Sequence, residues 1–579
     1  MKRDNRQTRA ARRAEARASG SPAAQAAARP RAEGKRRRHN ADMSPRGAVA
    51  IWIHKHPWLI LATIVSVQML FALLSFMPQP HTGGDSANYM TLGRSLLQNH
   101  TYTDLYDPAL PPHTKYPPVF PLILAAGMAI GLTTWVQLKL VMLAIGAGAL
   151  ALTFLWIRRR GRPVLAAGVC LMLAFSAGVI DQSHWLLSDV PFWFLTMLAL
   201  FAFERARPHN RARFAIAVIA TVLAYFTRSA GLPLVVAVVL WLAWRRRWQQ
   251  LALFGIVLAP LALLWWLRAQ NTGGVEYTQE FWLIDPYMPQ LGRIGIANLM
   301  QRMGENAVKY VSVHIPILLT GRTGAGITLM SCLLTAAAVY GWITRLSRAR
   351  VAELFTPLYI GLILIWPAVW SGERFIMPLF PVLLYYAGIA MTRLMRRVTP
   401  TYVMAASAAI VIFVLLLDVP ALNAAVARGR ACTREYSRGE IYPCLNPAER
   451  SYFDAALWSE KNLTKDAVIL SRKPRLFYEI SHGIRGTTYP MAPDTRTFFT
   501  RTDSVKARYV IFDRLTSLAD VYLAPVLLQR PQAFCTMGQF GSDGTTMFGI
   551  LPGASAMPDQ PVPDGTQPSF AGCDRTFVR

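Results

Sequence analysis

The chain has 579 residues, 53% of them hydrophobic and only 16% charged, with a formal net charge of +29. Apolar stretches close to the roughly 20 residues that cross a bilayer recur through its first three quarters. A soluble globular protein does not repeat such runs between short basic loops, so the pattern indicates a polytopic α-helical membrane protein. The excess positive charge, taken alone, suggests nucleic acid, but its placement at the ends of apolar runs and in one terminal tail points to membrane topology instead.

Residues 1–46 are rich in Arg and Ala and end near the run Lys35, Arg36, Arg37, Arg38. Too few large apolar residues are present to build a core, so residues 1–50 read as a disordered basic tail that meets lipid headgroups on the cytoplasmic face. The short apolar core and cleavage site of a signal peptide are missing, so the first span is expected to remain. That span, near 58–77, leads into a loop at 78–134 dense in reactive side chains. Asp85 follows Gly83-Gly84 directly at the membrane boundary, and Lys115 precedes a proline-rich re-entry into apolar sequence.

Basic clusters at 158–162, 205–213, 245–247, 345–350 and 393–397 each close an apolar run. Holding all of them on the cytoplasmic side gives about eleven crossings, an odd number, by the positive-inside rule. The spans lie near 58–77, 135–157, 163–180, 187–204, 212–228, 230–244, 249–267, 325–345, 353–369, 374–394 and 400–419. The N-terminus is then cytoplasmic and the C-terminus extracytoplasmic, with the inner (plasma) membrane as the expected location. Residues 117–132 are apolar but short and open with prolines; a helix lying in the outer leaflet keeps the basic loops inside, whereas a crossing there reverses them. The outer loops are then 78–134, 181–187, 268–324 and 371–373, carried by a transmembrane domain at 51–420.

Beyond residue 420 the apolar runs stop, and residues 421–579 read as a small extracytoplasmic α/β domain with a Pro/Gly-rich tail. Asn446 and Pro447 form an N-cap and first-position pair, followed by a helix with Tyr452, Phe453, Ala456 and Leu457 on one face. Residues 467–470 and 509–512 resemble buried strands, and 534–540 with 547–551 a closing hairpin. Cys170 and Cys332 fall in apolar spans, where a buried thiol is ordinary. Cys432, Cys444, Cys535 and Cys573 fall in the outer domain, where three disulfide pairings are open and Cys432 with Cys444 and Cys535 with Cys573 is the most local.

Asp85 and Asp189 are the candidate catalytic acids. Each stands at the outer end of a span, where partial desolvation raises a carboxylate's basicity. Capping a helix is the structural alternative for both, as Asp85 precedes a helical pattern (Tyr89, Leu92, Leu96, Leu97) and Ser188-Asp189 opens a span. Asp181 and His184 share the second loop. A divalent metal bridging Asp85 and Asp189 is left open by the pair, although no dense carboxylate cluster is present. Lys115, Arg228, Arg268, Arg322 and Arg374 lie at outer ends of spans, where topology disfavours cations. An anionic lipid phosphate explains them, since Arg grips phosphate in a bidentate manner and Lys as a point charge.

Four ordered motifs, G-D-x-x-x-Y (from Gly84), K-x-P-P-x-x-P (from Lys115), L-L-S-D-x-P (from Leu186) and E-R-F-x-x-P-L-x-P (from Glu373), together resemble membrane glycosyltransferases of the GT-C fold. They resemble the bacterial members of the dolichyl-phosphate-mannose protein mannosyltransferase family, including the aminoarabinose transferases of lipid A. The resemblance implies a polyprenyl-phosphate sugar donor, with Asp85 the essential carboxylate, Lys115 facing the donor phosphate and Tyr89 an aromatic of the first-loop motif. Asn88 stands where the aminoarabinose transferases carry Arg, and Tyr116 separates Lys115 from the prolines. The expected function is hexosyl or pentosyl transfer from that donor to an envelope lipid, glycan or protein acceptor. Asp85 and Asp189 are the expected catalytic residues, Lys115, Arg374 and Arg228 bind the donor phosphate, and Tyr89, Asn88 and His184 line the substrate pocket. Tyr277, Trp282 and Tyr287 in the loop 268–324 are expected to add to that pocket. The alternative is a lipid or sugar flippase, which would place its binding groups near mid-membrane in repeated halves; no repeat is visible.

Overall fold

In a computed structural model of the chain, the described residues are 45–204, 210–272, 276–398, 402–562 and 568–579. The basic tail before residue 45 lies outside them. Each expected span is a helix: Pro57–Leu74, Trp135–Arg159, Pro163–Phe175, Asp189–Phe203, Arg211–Thr227, Leu232–Trp244, Trp248–Gln270, Ala325–Ile343, Val351–Ile365, Phe380–Val398 and Val403–Ser437. Among the described residues five helices are long and apolar enough to cross a membrane, or six when a bent pair is counted as one, and shorter apolar helices fill the spaces between them. The chain is a multi-pass membrane protein.

The bent pair joins Pro163–Phe175 to Ala177–Ser183 at an angle of 69°. Ser176 makes the break tolerable: its hydroxyl accepts from the Val179 amide, capping the second helix, and donates to the Leu318 carbonyl at 2.6 Å. Residues 117–132 form the helix Val119–Ala129, whose 11 residues are too few to cross a bilayer. It packs on the first-loop helix Asp85–Gln98.

Three differences from expectation stand out. The last membrane helix does not end near residue 420 but continues through Pro420 to Ser437. Gly429 lets it cross the end of the first span closely, since a Cβ there would lie 2.4 Å from the Ser75 backbone. The loop 268–324 carries helices of its own that the sequence reading did not assign, Ile296–Lys309, a π-turn and Ile315–Thr320, with the last packed into the bundle. Cys332 faces outward on its span, whereas Cys170 is buried.

The C-terminal domain carries five strands, β1 (Val468–Leu470), β2 (Arg485–Thr487), β3 (Tyr509–Phe512), β4 (Phe534–Phe540) and β5 (Thr545–Ile550), in the order β2-β1-β3-β5-β4. β1 pairs in parallel with both β2 and β3, and β4 and β5 close the sheet as an antiparallel hairpin. Alternate residues serve the two faces. Ile469 and Ile511 pack with Tyr452, Phe453 and Met547 on one side, and Leu470 and Val510 with Phe498, Tyr522 and Phe534 on the other. Asn446 caps the helix Pro447–Asn462 in a reciprocal capping box with Glu449. β2 escapes sequence reading because Arg485-Gly486-Thr487 carries no apolar run. Of the three disulfide pairings, the structure has the local one, Cys432–Cys444 and Cys535–Cys573.

Candidate active site

A strap of residues 77–84 joins the first span to the helix Asp85–Gln98. Gly84 stands at the turn with φ of 93°, a conformation that favours glycine, and precedes the helix as its N-cap. Asp85 is therefore the first residue of the helix rather than its cap, and its side chain is committed elsewhere. The strap is held along its length. Buried Lys139 donates to the carbonyls of Met77 (2.8 Å) and Gln79, with its ammonium 4.1 Å from the Trp185 ring centroid. The His81 ring accepts from the Gly83 amide at 3.1 Å and meets Trp185 edge-on. Burial, helped by the Arg374 charge, lowers the His81 pKa to about 4, so the ring is neutral.

From the other side the C-terminal domain closes on the strap. Lys473 Nζ donates to the Thr82 carbonyl at 2.8 Å, and the Thr82 hydroxyl donates to Glu449 at 2.6 Å. Arg94 pairs with buried Glu479 at 2.9 Å, and the Gly486 amide donates to the Tyr106 carbonyl. Between the helical half and this domain lies a cavity of about 810 Å³. Its walls include Asp85, Tyr89, Lys115, Tyr116, Arg228, Glu280, Tyr287, Trp370 and Arg374.

Charged groups meet in pairs on the helical side. Arg374, from the short helix Glu373–Ile376, donates to Asp85 Oδ2 at 2.9 Å and lies 3.4 Å from Asp189 through Nε. Arg228 pairs with the other oxygen of Asp189. Lys115 donates to both oxygens of Glu280 at 2.8 and 2.9 Å, and lies over the Trp370 ring. Tyr116 donates its hydroxyl to Asp85 Oδ1 at 2.8 Å. Tyr89 packs between Tyr116 and Phe120 and donates to the Ser188 hydroxyl at 3.0 Å.

This changes the electrostatic expectation for Asp85. Burial alone pushes its carboxyl up, but the Arg374 charge, the Tyr116 and Arg374 hydrogen bonds and the Arg475 charge outweigh it and hold it well below the usual carboxylate range. Asp85 stands here as an ion-pair partner of Arg374.

The expected site residues separate into two groups. Asp85, Tyr89, Lys115, Arg228, Arg374 and Tyr287 meet in the cavity. Asp189 does not line it: at 1% exposure it is buried against the two arginines, paired with Arg228 and 3.4 Å from Arg374 Nε. Its neighbour Ser188 makes no side-chain capping bond. His184 is buried against Phe76 and Trp185, and Asp181 takes the Trp185 indole N–H; both belong to the support of the strap. Asn88 is fully buried within its helix and does not line the cavity. Arg268 donates to the Tyr102 carbonyl and Arg322 to the Leu417 carbonyl, both off the cavity. Trp282 is exposed and does not line it.

A divalent cation does not fit the carboxylate pair. The Arg374 guanidinium already bridges Asp85 and Asp189, Arg228 fills the remaining side, and the described residues hold no group of three or more His, Cys, Asp or Glu with metal-ligand geometry. Glu280, Tyr116 and the basic run Arg472, Lys473 and Arg475 were not singled out by sequence reasoning. The run directly follows the legible strand β1, but its meaning depends on the parallel pairing of β1, which the sequence alone does not give.

No protein-family model matches the chain, and a search of curated proteins finds no match. Solved structures do resemble it. ArnT from Cupriavidus metallidurans in the apo state superposes with a TM-score of 0.53 at 14% identity, covering 87% of this chain and 99% of that one. The same protein bound to undecaprenyl phosphate gives 0.52 at 16% identity over 86% and 99%. The Archaeoglobus fulgidus oligosaccharyltransferase tethered with an acceptor peptide gives 0.51 at 14% identity over 86% and 74%. These proteins are GT-C glycosyltransferases, and the likeness establishes that the chain shares the GT-C membrane fold.

Proposed function

We propose that the chain is a glycosyltransferase that moves a sugar from a polyprenyl-phosphate donor to an envelope acceptor at the outer face of the inner membrane. The observation that carries this reading is the placement of one carboxylate, Asp85, among Lys115, Arg374 and Arg228 in a single cavity where the helical bundle meets the α/β domain. A fold shared with an undecaprenyl phosphate-binding protein supports the donor class. The five basic clusters assigned to one side support a cytoplasmic N-terminus and an extracytoplasmic C-terminal domain.

The chemistry follows from the charges. The bond between sugar C1 and a phosphate oxygen breaks, and its electron pair leaves on a phosphate monoester. That leaving group needs no general acid, only cations that meet the growing negative charge. Lys115 and Arg374 supply them by exchanging their internal partners, Glu280 and Asp85, for the donor phosphate, with Arg228 beside them, while Asp189 holds both arginines in place. Once Arg374 engages the phosphate, Asp85 regains basicity and accepts the proton of the acceptor hydroxyl or amine as the new bond to C1 forms. One carboxylate with several cations suits transfer; hydrolysis of a glycoside, with its poorer leaving group, calls for two carboxyls.

Mass spectrometry of envelope glycolipids and glycoproteins from cells with and without this protein tests the assignment. Transfer predicts loss of one sugar-modified species together with a rise in its polyprenyl-phosphate sugar. An unchanged glycan profile would refute the assignment.

A further inference from the structure

The transfer step leaves one feature of the cavity unused. Arg472, Lys473 and Arg475 line its wall from the C-terminal domain, facing the donor-side cations. Arg472 and Lys473 sit in the loop after β1, and Arg475 in the first turn of the helix Pro474–Ile480 that follows it. The loops after β2 and β3 reach the same wall, through Thr487 and Thr488 and through Thr516 and Ser517. β1, β2 and β3 run in parallel, and α/β sheets bind ligands in the crevice outside the carboxyl ends of their parallel strands. The domain therefore turns its ligand-binding edge, and not merely a covering surface, toward Asp85.

The chemistry of that edge is one-sided. On the helical side each cation meets an acid: Lys115 with Glu280, Arg374 with Asp85, Arg228 with Asp189. The three domain loops bring cations and hydroxyls to the cavity, and among the described residues none of their carboxylates lines it. Each of the cations also contacts the helical half. Arg472 lies 5.3 Å from the Tyr287 ring centroid, Lys473 donates to the Thr82 carbonyl, and Arg475 Nε donates to the Tyr106 hydroxyl at 3.2 Å. Asp513, behind the loop, feels both Lys473 and Arg472. A donor with a single phosphate is met by Lys115, Arg374 and Arg228, which leaves the domain cluster for a second anion. Arg475 and Asp85 line the same cavity, so a group held by Arg475 shares that space with the proton acceptor.

We propose that Arg472, Lys473 and Arg475, with the hydroxyls of Thr487, Thr488 and Ser517, bind an anionic group of the acceptor, a phosphate or carboxylate. The acceptor is then an acidic lipid or glycan, and the C-terminal domain is its docking site. This rests on the transferase reading and narrows it.

The test uses the full-length protein in phosphatidylcholine nanodiscs, with undecaprenyl phosphate and inorganic phosphate as probes. After saturation with undecaprenyl phosphate, the wild type is expected to bind inorganic phosphate still. The double variant R472Q/R475Q, which leaves Lys473 and its strap contact intact, is expected to bind it about tenfold or more weakly, as loss of charge-assisted bonds implies. Its affinity for undecaprenyl phosphate is expected to change by less than about twofold, which also reports that the variant is folded. Displacement of inorganic phosphate by the lipid, equal loss of both ligands in the variant, or no phosphate binding by the lipid-saturated wild type overturns the proposal. A further arm replaces phosphatidylcholine with phosphatidylglycerol: competition assigns the anion to a lipid headgroup, and no competition to a water-borne or glycan phosphate, the site standing in either case. A wild type that binds no undecaprenyl phosphate refutes the transfer reading instead, while phosphate binding lost in R472Q/R475Q still establishes the anion site.

Discussion

Asp85→Asn separates the two jobs assigned to Asp85, because they respond in opposite directions. The carboxylate accepts from Arg374 at 2.9 Å and from Tyr116 at 2.8 Å, so the donor phosphate must win Arg374 away from it. A hydrogen bond to a charged group is worth ~1.5–3 kcal/mol when well shielded. Here both side chains are about a quarter exposed, and solvent screening reduces the figure to about 1 kcal/mol. Removing the charge should therefore tighten undecaprenyl phosphate binding by roughly fivefold. The same substitution removes the proton acceptor, which should slow transfer by about 10²–10⁴-fold. Binding is followed by quenching of intrinsic tryptophan fluorescence, Trp366 and Trp370 being cavity residues. Turnover is followed as label moved from a polyprenyl-phosphate sugar into envelope material, in membranes carrying equal amounts of each protein. A purely structural Asp85 predicts that both quantities fall together. Transfer within about tenfold of wild type would refute its role as the base.

The Lys115–Glu280 pair should behave as a second exchange couple: Lys115→Met weakens undecaprenyl phosphate binding by about tenfold, while Glu280→Gln strengthens it, and shifts of the same sign in both would contradict the exchange. At the other end of the helix Asp189–Phe203, Arg160 pairs with Glu204 and Glu353 at 3% exposure or less. Glu353→Ala leaves part of that buried charge unmatched and should cost about 3 kcal/mol, read as a lower Tm in detergent, with an unchanged Tm counting against the network. Glu479 joins the C-terminal domain to Arg94, and burial, against the attraction of Arg94, raises its pKa to about 7. The folded state thus binds this proton more tightly than the unfolded state. The group's contribution to stability is full below pH 4.5 and is lost as the pH rises through about 7. Hydrogen exchange across residues 474–480 should show that loss, and E479Q should abolish its pH dependence.

How far the site could be read from sequence depends on what kind of information each residue needed. Asp85, Lys115 and Arg374 were legible because a charge at a span boundary is costly unless it has work to do, and boundaries follow from hydropathy and basic loops. The same rule overreached for Asp189, His184 and Asn88, since it gives depth along the membrane but not the face of the helix. Asp189 offsets its desolvation by pairing with Arg228, at the end of one helix, and Arg374, on another, a partnership across about 40 and 185 residues of chain that no local pattern encodes. Lys139 shows the converse: a cation inside an apolar helix, silent in the basic-loop count, that anchors the strap bearing Asp85 through carbonyls 60 and 62 residues away. In the C-terminal domain the strands with apolar runs were recognisable, but β2 was not, and without β2 the parallel order of the sheet is hidden. That order is what makes residues 472–475 meaningful. A basic run on a soluble-looking domain reads as a solvated surface until the topology shows that it lies at the carboxyl edge of β1, facing the acid that begins the first-loop helix.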